Sequence, residues 1–343
     1  MLKKDLKMYN KLIPDINKKI AETGRAIISL GCSFVQGQGA FNAEIYDTYK
    51  LKDIVLGANI ELDINEQQRK DVLDKYKTVT RRLGGGLDFT YMEYDNAFTN
   101  VLCNKYFEGS YAPINLGLRG CGNRGTIKEL YFNPDINWDG IKEAVVIYCP
   151  SGLERFDFIN DFWMEHFHWK AMWPHYQDIA ESPKKDLWKG YATGLWSNKF
   201  EVLEQIGHVQ ELLTWCKLKN AKLIITPGFD TRYTRDNFTN SLSEVIVRDM
   251  LDNQQSSNQT HVINEALKML DSWPWANMYE PEGYMTFADF VVSKEKVNPT
   301  EHYHFFQYFK TGSPNGWITP CAHPSAKGHD LFAENLFKHI NSL

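Results

Sequence analysis

The sequence predicts an α/β fold: a doubly wound, mainly parallel sheet in a three-layer α/β/α arrangement, carrying aromatic-rich insertions. Three observations lead there. Short apolar runs recur at residues 26–30 (AIISL), 112–116 (APINL), 144–149 (AVVIYC) and 222–226 (KLIIT). Stretches with helical spacing of apolar residues lie between and after them, over residues 96–107, 123–130, 200–218 and 325–340. Each apolar run ends in a cluster of Gly, Pro, Ser or Asn. Strands that are apolar on both faces and alternate with helices belong in a parallel sheet covered by helices.

In chain order, Leu2, Leu6, Tyr9, Ile13, Ile16 and Ile20 fall three and four residues apart. They predict an amphipathic helical extension over residues 1–22, interrupted or started afresh near Pro14 and packed outside the sheet. Next comes RAIISLGCSFVQGQG, residues 25–39. Its apolar half reads as a buried strand, which places Ser33 just past the carboxyl edge, where open α/β sheets bind ligands. Ser33 is therefore either a nucleophile or simply a cap for the following helix. Residues 42–93 form a polar insertion with NEQQRKDVLDKYKTVTRRL and three glycines, expected as a helix, a hinge and a surface excursion. The run at 112–116 leads into LGLRGCGNRG, with a helix opening at Asn123. AVVIYC is closed by Pro150, Ser151 and Gly152.

Six of the ten tryptophans lie within residues 138–196. The core of this stretch, FWMEHFHWKAMWPHY, has no clean period, and residues 156–197 are expected as a lid-like insertion. It could cover the site, contact another subunit, or stack flat rings on a sugar. A turn follows KLIIT at residues 227–230, and a last helix is entered through CAHPS.

Composition narrows the function classes. At 343 residues with 43% hydrophobic and 24% charged residues, the chain folds, and the elements above fit a single decorated domain spanning residues 1–343. The net charge of −5, with no dense Lys/Arg cluster, argues against a nucleic-acid partner. Six scattered cysteines without a CxxC pair predict reduced thiols and no zinc site, and no cofactor is implied. HFH at 166–168 and HYH at 302–304 lack a carboxylate pattern that would complete a metal site. There is no signal-peptide pattern near the N-terminus and no apolar window long enough to span a bilayer. A soluble chain made in the cytoplasm, without a membrane partner, is the expectation.

Four loops converge on one sheet edge: residues 31–39, 116–125, 150–155 and 320–329. A serine hydroxyl attacks an acyl carbon only with a base in hydrogen-bond reach and N–H donors aimed at the developing oxyanion. His323, in PCAHPSAKGHDLFAENL, is the candidate base. Cys32 and Cys121 flank the site without a basic partner and read as small buried residues.

GCSFVQGQG resembles the first block of the SGNH (GDSL-like) hydrolases, and HPSAKGHDLFAENL resembles their terminal histidine block, in the family's order and bracketing residues 25–341. The GCSF, ER and PCAHPS variants are similar to SGNH-like proteins of tailed bacteriophages. The resemblance implies a flavodoxin-like fold and a serine esterase with Ser33 as nucleophile and His323 as base, needing no cofactor. NLGLRGCGN resembles the second block, which makes Gly120 an oxyanion donor beside the Ser33 N–H, with Gly122 as the alternative. In the third block the family's asparagine is absent, and Ser151 stands nearest its place. Pro320 occupies the position of the family's aspartate, so a carboxylate for His323 is sought in Asp230, Asp289 or Glu301. The implied substrate is an O-acetylated carbohydrate or another acyl ester. The alternative is an SGNH-fold binding or virion protein with weak or no catalysis, whose partners would be a second copy of the chain or other virion proteins.

Overall fold

The structure, a computed structural model, describes residues 3–41, 43–49, 51–55, 59–81, 86–118, 122–153, 156–160, 163–167, 198–241, 265, 268–295, 305–309 and 311–343. Strand β1 (Arg25–Gly31) is buried from Ala26 onward. It pairs in parallel with β2 (Ala112–Asn115) on one side and, along its whole length, with β3 (Glu143–Cys149) on the other. Strand β4 (Ala221–Ile225) adds in parallel to β3, giving the order β4-β3-β1-β2. The four apolar runs are the four strands of this sheet, each within one residue of its expected ends.

From β1 the chain moves to β2 on one side and then returns to β3 on the other. The direction of winding therefore reverses between β1 and β3, and such a switch point opens a crevice at the carboxyl ends of the strands. Ser33 follows β1 directly and lies at that switch.

Alternate strand residues feed two buried clusters. Ala26, Ile28 and Leu30 pack with Ile13, Ile16 and Ile20 of helix α1 (Lys3–Thr23) and with helices α3 (Asn123–Phe132) and α4 (Asn198–Leu218). Ile27, Val145 and Ile147 join Phe98, Phe287 and Phe332, the last on helix α5 (Ala326–Ile340). Each fully buried Ile, Leu or Phe contributes roughly 1.5–3 kcal/mol over its exposed state. That explains why α1 runs unbroken through Pro14, against expectation: Pro14 is exposed, while three isoleucines anchor the opposite face. Helical burial there exceeds the ~3 kcal/mol that an internal proline costs.

The expected helix at 96–107 begins earlier and is broken. Thr90–Asn96 ends at Ala97, whose backbone is extended (φ −62°, ψ 143°), before Phe98–Val101 and a wider π-turn at Leu102–Tyr106. The break lets the Phe98 N–H donate to His329 Nδ1 at 3.2 Å.

The polar insertion is more than an excursion. It holds an antiparallel hairpin (Leu51–Val55 with Asn59–Leu62), a helix Glu66–Lys75 capped reciprocally by Asn65 and Gln68, and a short pair Thr80–Arg81 with Leu87–Asp88. Phe41, Leu62, Val72, Phe89 and Met92 make a third apolar cluster, which also takes in Cys321. In the tryptophan-rich insertion, Phe156–Asn160 and Trp163–Phe167 form an antiparallel hairpin, its first strand beside α3. Trp169, Trp173 and the remainder of the expected lid lie outside the described residues.

Among the described residues, Cys32, Cys103, Cys149, Cys216 and Cys321 are buried and form no disulfide. Burial pushes the thiols of Cys103 and Cys149 well up and that of Cys216 to about 12, so they stay protonated. No helix among the described residues is long and apolar enough to cross a membrane.

His329 couples this fold to pH. It is fully buried against the rings of Phe98 and Phe287. Burial, with a smaller contribution from His323, lowers its pKa from 6.5 to about 3. The unfolded chain then takes up a proton near pH 6.5 that the folded chain refuses. The stabilisation is complete above pH 6.5 and is lost as pH falls from there towards 3, at about 1.4 kcal/mol per pH unit. His329→Gln, which keeps an acceptor for the Phe98 N–H, is expected to flatten the slope of urea-unfolding free energy against pH between about 6 and 4 by that amount. An unchanged slope would mean that His329 does not carry this linkage.

Candidate active site

The glycines after β1 answer to geometry. A Cβ on Gly31 would lie 2.3 Å from Val35 Cγ2 and 2.7 Å from the Cys149 carbonyl oxygen, so the strand end is packed too closely for any side chain. Cys32 has extended backbone and starts the single turn α2 (Ser33–Gln36). The Ser33 carbonyl accepts from Gly37 N and Gln38 N at 3.2 and 3.0 Å. Gly37 (φ +90°) and Gly39 (φ +84°) are both left-handed, a region open to glycine at little cost.

The opposing segment is a tight turn at residues 319–323. The His323 carbonyl accepts from Thr319 N at 2.8 Å and from the Thr319 hydroxyl at 3.0 Å, and Ala322 N donates to the Thr319 carbonyl at 2.8 Å. Closing it forces Ala322 to φ +62°, a conformation that costs a non-glycine residue roughly 1–2 kcal/mol. Ser325 then caps α5, its hydroxyl accepting from Gly328 N at 3.3 Å.

These two segments meet. Ser33 Oγ lies 2.8 Å from His323 Nε2, and His323 Nδ1 lies 2.8 Å from the Cys321 carbonyl oxygen. A carbonyl can only accept, so this contact calls for the proton on Nδ1 and leaves the Nε2 lone pair facing the Ser33 hydroxyl. Phe34 packs against the imidazole at 4.9 Å between centroids, with Phe229 and Phe305 behind it at 5.2 and 5.4 Å. Ser33 is only 6% exposed, while His323 is half-buried.

The acids sought for His323 have other engagements. The Asp230 carboxylate accepts from Leu153 N at 2.9 Å, from Arg232 N at 3.0 Å, and from Arg232 Nε and Nη2 at 2.8 and 2.6 Å. Asp289 belongs to a helix start: its carboxylate accepts from the Thr286 hydroxyl at 2.7 Å, and its N–H donates to Thr286 Oγ1 at 3.0 Å. Glu301 lies outside the described residues. The acceptor at the outer nitrogen is a backbone carbonyl of the His323 segment itself, that of Cys321.

Ser151 braces the end of β3. Its N–H and hydroxyl both donate to Asn123 Oδ1, at 2.7 and 3.2 Å, and its carbonyl accepts from the Tyr233 hydroxyl at 2.7 Å. Asn123 Nδ2 donates in turn to the Tyr233 oxygen at 2.8 Å. Both Ser151 donors thus turn towards Asn123, which sequence reasoning read only as a helix start. Gly120 lies outside the described residues, and Gly122 is the extended residue preceding α3. Of the paired histidines, His166 sits in the second strand of the Trp163–Phe167 hairpin, while His168 and residues 302–304 lie outside the described residues. No group of three or more potential metal ligands gathers among the described residues.

Comparison with known proteins finds no matching family model, and no curated protein matches the chain.

Removing Asp230 strips the buried Leu153 N–H of its acceptor and leaves Arg232 without its carboxylate. Asp230→Ala is expected to lower stability by about 1–3 kcal/mol, while Asp289→Ala costs about 0.5–1 kcal/mol by removing the acceptor of the Thr286 hydroxyl and the acid in the first helical turn. Neither should change p-nitrophenyl ester turnover per folded molecule by more than about threefold. A selective loss of turnover in either variant, with unfolding unchanged, would show that its carboxylate reaches the imidazole in solution.

Proposed function

We propose that the chain is a serine hydrolase of SGNH type, built on a three-layer α/β/α, flavodoxin-like domain and acting on an acyl ester. The observation that carries this reading is the 2.8 Å contact between Ser33 Oγ and His323 Nε2, with the outer ring nitrogen held by the Cys321 carbonyl. The distance falls within the range for nucleophile and base.

In this reading the Ser33 hydroxyl attacks the ester carbonyl carbon and passes its proton to His323 Nε2, leaving a tetrahedral oxyanion. The intermediate collapses by breaking the bond to the alcohol oxygen, which takes the proton back from Nε2 as it departs. Water then repeats the sequence on the acyl-enzyme and releases the acid. Ser33 opens α2, where an N–H has no acceptor within the helix and so suits the oxyanion; Gly120 is the second proposed donor. The short aromatic wall beside the imidazole and the half-buried base fit a small acyl group such as acetyl, and a carbohydrate ester is the favoured substrate class.

One observation favours a second reading. His323 leans on a neutral carbonyl, and Pro320 stands where the family's aspartate would be. An SGNH-fold binding or virion protein, with its site relaxed from catalysis, would tolerate that exchange.

Labelling with a fluorophosphonate separates the two. Covalent uptake at Ser33 is expected in folded protein, abolished in Ser33→Ala and slowed at least about a thousandfold in His323→Ala. Folded protein that takes up no label at Ser33 would overturn the hydrolase reading in favour of the binding one.

A further inference from the structure

The loop that carries Ser33 reaches the His323 turn through Gly39. A Cβ on Gly39 would lie 2.7 Å from Thr319 Oγ1, 2.9 Å from Cys321 Sγ and 3.2 Å from His323 Cβ. Its bare backbone is therefore pressed against three residues of the turn. The same loop is tied to Ser33 through the Gly37 and Gln38 N–H groups. A displacement of residues 37–40 would move the nucleophile and the base relative to each other.

Something must hold that loop down, and the helix Thr90–Asn96 grips it at three successive places. The Glu93 carbonyl sits where a Gly37 Cβ would come within 2.5 Å, Glu93 Oε1 accepts from Gly39 N at 2.9 Å, and Asn96 Nδ2 donates to the Ala40 carbonyl at 2.8 Å. Glu93 is 6% exposed, an unusual place for a carboxylate unless its position matters.

We infer that Glu93 and Asn96 are positioning residues that clamp residues 37–40 against the turn at 319–323 and thereby set the Ser33–His323 hydrogen bond. The inference rests on the hydrolase reading for its kinetic consequence. Neither residue touches the reacting atoms; both act through Gly39 and its neighbours. Because a misplacement of about 1 Å can cost on the order of 10²-fold in rate, a loosened clamp should appear in acylation and not in substrate affinity.

The test compares Glu93→Ala, Glu93→Gln and Asn96→Ala. Expected are fluorophosphonate labelling of Ser33 slowed at least about tenfold in Glu93→Ala, kcat for p-nitrophenyl acetate falling in parallel with KM within about twofold, and recovery to within about threefold in Glu93→Gln, whose amide oxygen still accepts from Gly39 N. The downfield NMR resonance of the His323 Nδ1 proton, which reports on the His323–Cys321 hydrogen bond whether or not substrate is turned over, should shift or vanish in Glu93→Ala and persist in Glu93→Gln. Wild-type labelling by folded Glu93→Ala would overturn the inference while leaving the hydrolase reading intact. Wild-type protein that takes no label sinks that reading instead, and an unchanged His323 resonance in Glu93→Ala would then overturn the clamp as well. If Glu93→Ala does not fold, Asn96→Ala decides, since its side chain is half-buried and its loss mild: labelling and the His323 resonance both unchanged there would overturn the clamp.

Discussion

Everything at the sheet edge depends on how closely two backbone segments approach, one near residue 39 and the other at residues 319–323. The hydroxyl and the imidazole that meet there are separated by 290 residues of chain. Bringing such distant points together costs about 5 kcal/mol of loop-closure entropy, far more than one hydrogen bond returns. The contact must therefore be a consequence of packing elsewhere. On one side β1 is held by two parallel neighbours and is buried on both faces. On the other, Phe332, Ala333 and Leu336 bury α5 in the same cluster as Ile27 and Val145, so the turn ahead of α5 arrives at the carboxyl edge already oriented. Gly39 completes the approach by having no side chain to separate them.

The choice of a carbonyl in place of a carboxylate divides two tasks that an acid partner performs together. Orienting the ring and selecting its tautomer require only an acceptor in the right place, and the Cys321 oxygen at 2.8 Å supplies one. Stabilising the imidazolium that forms during proton transfer requires negative charge, and a carbonyl dipole offers only a fraction of it. The Cys321 contact thus supplies the orientation that an acid partner would give, with only a dipole's share of its charge. The backbone cost is visible in the same turn: Ala322 is held left-handed so that the carbonyl at 321 can face the ring at 323.

Much of this was legible in the residues. Runs such as AVVIYC declare buried strands by composition, and the four strands lie where those runs do because parallel strands covered on both faces tolerate little else. Ser33 could be singled out because polar residues at a strand's carboxyl end, followed by a helix, are placed by the topology itself, and His323 by its place just ahead of the last helix and by the resemblance of its segment to a terminal histidine block. What stayed hidden was whatever the backbone does. Pro320 ruled out a side-chain acid at its position, yet nothing in a residue list announces that a carbonyl at 321 will turn onto the imidazole. Asn123 looked like a helix start and proved to bind the Ser151 N–H and hydroxyl. Pro14 looked like an interruption, but three buried isoleucines outweigh it.

The polar insertion shows the same principle at a larger scale. Its sequence offers no reactive constellation, and its apolar residues are too few to suggest a core. In the folded chain they nonetheless assemble around Phe41 and Phe89, stacked at 5.0 Å, and reach Cys321. Cys321 therefore faces two ways: its side chain is packed by the insertion's cluster, while its carbonyl holds His323. The helix that closes the insertion, Thr90–Asn96, grips the other half of the site through Gly39. Residues 42–93 are thus not an ornament on the sheet edge. They support both the loop that carries Ser33 and the turn that carries His323, although the segment has no chemistry of its own.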